Sequence, residues 1–161
     1  MPNYCDNILY LSNKDESKID EVERVLFTQS PLFEHLLPCG ETDTSYDDHL
    51  EKWGTKWDAS IIDFERDDHN QILISFETAW CPPIALYDYL SENQWDITAY
   101  YNEPGVGFCG RYIHGIDDYY EYDMSDIESL EQIPKDIDDF TGNIDWHNQM
   151  KEDGEFDEEQ S

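Results

Sequence analysis

Positive charge is what this sequence has least of: nine Lys and Arg stand against 39 Asp and Glu in 161 residues, a net charge of −30 at pH 7. That balance leaves no basic surface and excludes direct binding of DNA, RNA or an anionic membrane by neutralising phosphates. Long apolar runs are missing too, with nothing near the roughly 18 residues that a membrane-spanning helix needs. The opening residues, Met1-Pro2-Asn3-Tyr4-Cys5-Asp6, lack the basic segment that begins a secretory signal, so a cytoplasmic location is expected. Cys5, Cys39, Cys81 and Cys109 are scattered without a Cys-x-x-Cys pair or a His at ligand spacing. A structural zinc site is therefore not expected, and reduced thiols are. No Gly-x-Ser-x-Gly elbow occurs, and His35, His49, His69, His114 and His147 fit no His-Glu-x-x-His pattern. A calcium loop between Asp117 and Asp126 would lack its glycine and its spacing. With 39 carboxylates no catalytic acid pair stands out. The expectation is a protein that is not an enzyme and has no cofactor and no metal.

Whether so charged a chain folds depends on its apolar content. Ile, Leu, Val and Phe make up 35 of the 161 residues, just above the roughly 20% below which disorder is the default. Five Trp and 11 Tyr add to that. Residues 1–116 hold 28 of the 35, and residues 134–161 hold only Ile137, Phe140, Ile144 and Phe156. Three parts are expected: a folded domain over 1–116, an acidic strand and helix extension over 117–133, and an acidic, partly disordered tail over 134–161.

Within the first part, Asn7 to Ser12 is a short apolar run that predicts a strand. Asn13 with Glu16 three residues on has the pattern of a capping box. Ile19, Val22 and Leu26, with Val25 beside them, then recur at helical spacing. Pro31, Pro38, Gly40 and Gly54 break the pattern from Ser30 to Ala59, where Tyr46 to Trp53 predicts a short helix. Ser60 to Arg66 and Gln71 to Thr78 alternate apolar and polar residues as in a hairpin. A helix from Pro83 to about Asn93 and strands over Trp95–Tyr101 and Phe108–Ile113 follow. This order predicts an α+β fold, a ferredoxin-like βαββαβ sandwich with its helices on one sheet face and an acidic C-terminal extension.

Four separated motifs carry a resemblance. Pro2-Asn3-Tyr4-Cys5-Asp6-Asn7, Trp53-Gly54-Thr55-Lys56-Trp57-Asp58, Phe76-Glu77-Thr78-Ala79-Trp80-Cys81-Pro82-Pro83, and Glu103-Pro104-Gly105 with Phe108-Cys109-Gly110 together resemble the YubB-like family of phage and plasmid proteins. The resemblance spans about residues 2–116, with Tyr4 where Trp is expected and Cys81 where Ser is expected. It implies a ferredoxin-like domain and a mobile-element origin, and it carries no catalytic residue over. Trp53, Trp57, Asp58 and Trp80 could line a stacking pocket for a flat ligand or peptide, or form an aromatic core beneath an irregular loop.

The acids cluster. Residues 117–133 hold Asp117, Asp118, Glu121, Asp123, Asp126, Glu128 and Glu131 with no Lys or Arg, and the tail continues with Asp136, Asp138 and Asp139. As a strand, 117–123 would place Asp117, Tyr119, Glu121 and Asp123 on one side, with carboxylates roughly 6.6 Å apart. Thirty net charges equal those of about 15 base pairs of duplex. The expected function is a DNA-mimic inhibitor from a mobile genetic element, with these ten carboxylates binding a basic nucleic-acid-binding defence protein of the host, such as a CRISPR effector or restriction enzyme. Alternatives are an acidic adaptor that binds a basic protein away from its DNA site, a small-ligand binder using the Trp-rich region, and a charge-solubilised structural protein. Oligomeric state is left open.

Overall fold

A computed structural model of the chain describes residues 3–39 and 46–154. The central elements are β1 (Tyr4–Asn13), α1 (Glu16–Phe27), β2 (Ser60–Asp68), β3 (Gln71–Ala79), α4 (Ile84–Glu92) and β4 (Trp95–Glu103). Two short helices, α2 (Leu32–Leu36) and α3 (Tyr46–Lys52), lie between α1 and β2. After β4 come β5 (Phe108–Ile113), β6 (Ile116–Glu121), α5 (Ile127–Glu131), α6 (Lys135–Thr141) and α7 (Asn143–Glu152). All six strands join one sheet in the order β2-β3-β1-β4-β5-β6, and every neighbouring pair is antiparallel. The first four strands have the ferredoxin-like arrangement: β1 sits between β3 and β4, and each strand-helix-strand crossover skips one place. The fold is α+β and ferredoxin-like. β5 and β6 widen the sheet beyond it.

Period-two burial along β1 and β3 sends Leu9, Leu11, Ile72, Ile74 and Phe76 to one face. There they meet Ile19, Val22 and Leu26 of α1 and Leu86, Tyr87 and Leu90 of α4 in one core. Each such side chain contributes about 1.5–3 kcal/mol by leaving water. α1 begins two residues later than the capping-box pattern implies. Its N-cap is Asp15, which accepts from the Ser17 amide, while the Asn13 side chain accepts from the Asp15 amide. A single carboxylate here serves both as amide acceptor and as counter-charge to the helix dipole.

Residues 135–152 of the tail expected to be acidic and partly disordered form helices. α6 and α7 are ordered helices, and Ile137 is fully buried with Leu130, Ile133 and Tyr122 against Cys109. Tyr100 and Tyr120 pack on the same cluster from the opposite sheet face to α1 and α4. The segment needs few apolar residues of its own because the strands supply the other half of the core. Residues 155–161 of the expected tail lie outside the described residues.

Tyr87 is fully buried and its hydroxyl makes no hydrogen bond with the described residues, whereas the Tyr112 hydroxyl donates to Asp88 at 2.6 Å. An unpaired buried hydroxyl costs about 1–3 kcal/mol. Tyr87→Phe is therefore expected to hold or raise the thermal midpoint by about 2–4 °C, and Tyr112→Phe to lower it. A calorimetric scan of the two variants checks this; a lower midpoint for Tyr87→Phe would mean that its hydroxyl has a partner in solution.

Candidate functional site

The ten carboxylates expected to form one binding surface are instead divided among several tasks. The strand ends at Glu121, so Asp117, Tyr119 and Glu121 share one sheet face and Asp123 is not a fourth rung. Asp123 caps a turn by accepting from the Ser125 amide and hydroxyl, which holds its carboxyl below the usual range. Asp126 is the N-cap of α5, and Asp138 accepts from the Ile144 amide. Asp118 and Asp136 both face Arg111, at 3.0 and 2.7 Å, and Tyr100 also donates to Asp136. Asp139 pairs with Lys135 at 3.1 Å. Glu121, Glu128 and Glu131 are exposed, with Glu121 accepting from the Tyr119 hydroxyl. Side chains three residues apart in sequence thus end up on different faces, because the strand ends at Glu121 and the chain turns at Met124 and Ser125 before entering a helix at Ile127.

A different acidic surface lies on the sheet itself. α6 packs over β4 and β5, and the same face of β1, β3 and β2 presents Tyr4, Asp6, Ile8 and Tyr10 beside Leu73, Ser75, Glu77, Asp63 and Glu65. Asp6 and Glu77 are direct cross-strand partners, an arrangement in which like charges destabilise a sheet. Burial, then Glu77, then Glu103 push the Asp6 carboxyl above its ordinary range. Among the described residues no salt bridge offsets this pair. Arg66 and Arg111 are the basic residues of the six strands, and Arg66 is already held by Asp20 and Glu23 of α1 at 2.6 and 3.0 Å.

The four sequence motifs meet at one end of the sheet. Asn7 donates to Thr78, and the Thr78 hydroxyl donates to the Cys81 carbonyl. The Trp80 amide donates to the Asn3 carbonyl, and the Cys81 thiol donates to the Gly54 carbonyl at 3.1 Å. Trp80 has φ +74°, and the amide of Cys81 bonds back to Ala79, a tight three-residue turn that a non-glycine residue adopts under strain. Glu103, fully buried, accepts from the amides of Gly105 and Val106 and so holds the turn into β5.

These motifs enclose a cavity of about 360 Å³ walled by Trp80, Phe108, Tyr119, Cys81 and Ile84, with Tyr101 and Asp117 also facing it. The Tyr101 hydroxyl donates to Asp117 Oδ1 at 2.6 Å. Gly110 makes that bond possible: a Cβ there would collide with the Tyr101 ring and the Asp118 carbonyl. Burial raises the Asp117 carboxyl above its usual range, the Tyr101 bond opposes this, and Asp118 and Asp88 add to it.

Of the expected pocket residues, Trp80 lines this cavity and the other three do not. Trp53 is buried in the main core, its indole N–H donating to the Leu37 carbonyl at 2.8 Å and its ring stacked on His49. Asp58 accepts from the amides of Phe33 and Glu34 at the start of α2. Trp57 is half-buried. The core reading fits Trp53 but not Trp80, which is 43% exposed. Tyr101, Phe108 and Tyr119 were missed as cavity residues; the legible signal was Gly110 between strand residues, a mark of close approach. Among the described residues no three His, Cys, Asp or Glu side chains converge as metal ligands, and no helix is long and apolar enough to cross a membrane.

Residues 52–160 match the family described as a ferredoxin-like domain in Api92-like protein. The chain belongs to that family. The matched stretch begins ahead of β2, so β1 and α1, which complete the centre of the sheet, precede it. A crystal structure of protein api92 from Yersinia pseudotuberculosis is similar over 52% of this chain at 26% identity, with a TM-score of 0.38. That similarity takes in 32% of the Yersinia chain. No curated protein matches the chain.

Proposed function

We propose that this Api92-like chain is an acidic inhibitor, carried by a phage or plasmid, that occupies the nucleic-acid-binding surface of a basic defence protein of its host, such as a CRISPR effector or restriction enzyme. The observation that carries the reading is the uncompensated pair Asp6 and Glu77, with Asp63 and Glu65 beside it, on a sheet face whose strands offer no unpaired Lys or Arg. Carboxylates held opposite each other without a cation raise the energy of the free protein. A partner bearing Lys and Arg lowers it again, as it would when gripping phosphates. No bond is made or broken in this mechanism. Charge speeds encounter, and occupancy excludes DNA.

Combined replacement Asp6→Asn, Asp63→Asn, Glu65→Gln and Glu77→Gln tests the surface. Removing like-charge contacts is expected to leave the thermal midpoint unchanged or raised, since such pairs contribute about 0.2–1 kcal/mol each. Association with basic nucleic-acid-binding proteins from a nuclease-treated host extract is expected to slow by tenfold or more, with a shallower salt dependence. Unchanged association would remove this face from the proposal.

A further inference from the structure

The cavity below Trp80 offers a partner something different from the open acidic face. Two of its aromatic rings are half open to solvent, Trp80 at 43% and Tyr119 at 49%, although such rings gain most when covered on both faces. Phe108 lies behind Tyr119 with ring centroids 5.2 Å apart and an interplanar angle of 31°. Tyr101 closes the floor against Phe108 in an edge contact at 6.2 Å.

The charged group that lines this space is a carboxylate, Asp117. Asp117 Oδ1 accepts the hydrogen bond from the Tyr101 hydroxyl, and Oδ2 makes no hydrogen bond with the described residues. Two of the first amides of α4 that could attract an anion are already given away, Ile84 to the Pro82 carbonyl and Leu86 to the Trp53 carbonyl. Asp118 and Asp88 add negative potential at Asp117. The Trp80 ring already attracts a cation, since Lys56 Nζ stands 5.9 Å from its centroid, and Lys56 is not among the residues that line the cavity. A phosphate or nucleotide would meet a carboxylate here on a chain of net charge −30. A cation with flat faces meets aromatic walls and a free acceptor.

We propose that this cavity receives an arginine side chain of a partner protein, its guanidinium lying between the rings of Trp80 and Tyr119 and donating to Asp117 Oδ2. Arginine fits better than lysine because its planar head stacks on aromatic rings while donating sideways to a carboxylate. A desolvated Arg set among aromatic residues is also the composition typical of an interface anchor. The identity of the partner as a basic protein rests on the proposed function; the recognition of arginine by the cavity does not.

The test uses the full chain and two capped tripeptides, Gly-Arg-Gly and Gly-citrulline-Gly, which share shape and differ in charge. Nuclear magnetic resonance of the indole N–H groups, with Trp80 assigned by Trp80→Phe, reads the site directly. The arginine peptide is expected to shift the Trp80 signal saturably and to bind at least about fivefold more tightly than the citrulline peptide. Asp117→Asn should weaken the arginine peptide by about fivefold or more, and Tyr119→Ala, on an exposed ring, by about threefold. Because Asp117→Asn alters the Tyr101 contact, Tyr119→Ala with an unchanged thermal midpoint is the independent check. No saturable shift at Trp80, equal binding of the two peptides, or indifference to both replacements overturns the proposal. Since no partner protein is present, those failures leave the acidic inhibitor standing. Peptide binding together with a partner that tolerates DNA would instead leave the arginine site and remove the inhibitor.

Discussion

Trp53→Ala is expected to destabilise the protein by about 3–5 kcal/mol, the range for deleting a fully packed aromatic side chain. The ring is 2% exposed, meets Phe33 edge-on at 5.6 Å and stacks on His49 at 4.5 Å. Its N–H is the partner of the Leu37 carbonyl, so truncation both opens a cavity and leaves that carbonyl unpaired. Trp80→Ala removes a half-exposed ring and should cost markedly less. Chemical denaturation of the two variants separates them, and equal losses would mean that Trp80 is packed as tightly as Trp53.

Arg111→Ala should produce the second large loss. Arg111 joins β5 to α6 through Asp136 and to β6 through Asp118. Its side chain is 22% exposed and those of both acids 41%. Solvent screening therefore places the pair between surface bridges worth about 0–1 kcal/mol and buried ones whose breakage costs about 3–5. A loss of about 2–3 kcal/mol is expected, since two carboxylates are left facing each other on a chain already at −30. Urea denaturation of the variant near neutral pH reads that loss, and one under about 0.5 kcal/mol would make Arg111 an ordinary surface cation.

Acid should shrink this difference. Burial raises the Asp136 carboxyl, but hydrogen bonds from Arg111 and Tyr100 outweigh it, so the folded value lies below the ordinary one. A depressed carboxyl stabilises above its unfolded pKa of about 3.9 and loses that contribution as pH falls through the folded value. Asp6, Asp58 and Asp117 have raised folded values, so for them folding is favoured as pH falls toward the unfolded range. Wild-type stability should therefore rise on mild acidification and fall once Asp136 is protonated. The gap to Arg111→Ala should close below about pH 4.

The parts legible in the sequence were those fixed by local period and order. Ile19, Val22 and Leu26 marked α1, and the alternation in 71–78 marked β3, because both elements bury one face against the same core. The acidic surface was less legible because sequence proximity is a poor guide to which way a carboxylate faces. Asp118 and Asp136 lie far apart in sequence yet share Arg111, while Asp6 and Glu77 meet only through the β1–β3 register. The helices after Pro134 were missed because their core is borrowed from Tyr100, Cys109 and Tyr120. The cavity was half legible: its motifs were visible, but Tyr101 and Asp117 come together only because Gly110 clears the space between them.

The most direct measurement is displacement. The immobilised chain is loaded with the basic nucleic-acid-binding proteins it retains from host extract, then washed with duplex DNA of about 20 base pairs at constant ionic strength. If the chain occupies the DNA-binding surface, those proteins leave in proportion to the DNA concentration and never carry both ligands at once. Retention at saturating DNA, with the duplex itself held on the resin through the captured protein, would contradict mimicry and make the chain an adaptor that binds elsewhere.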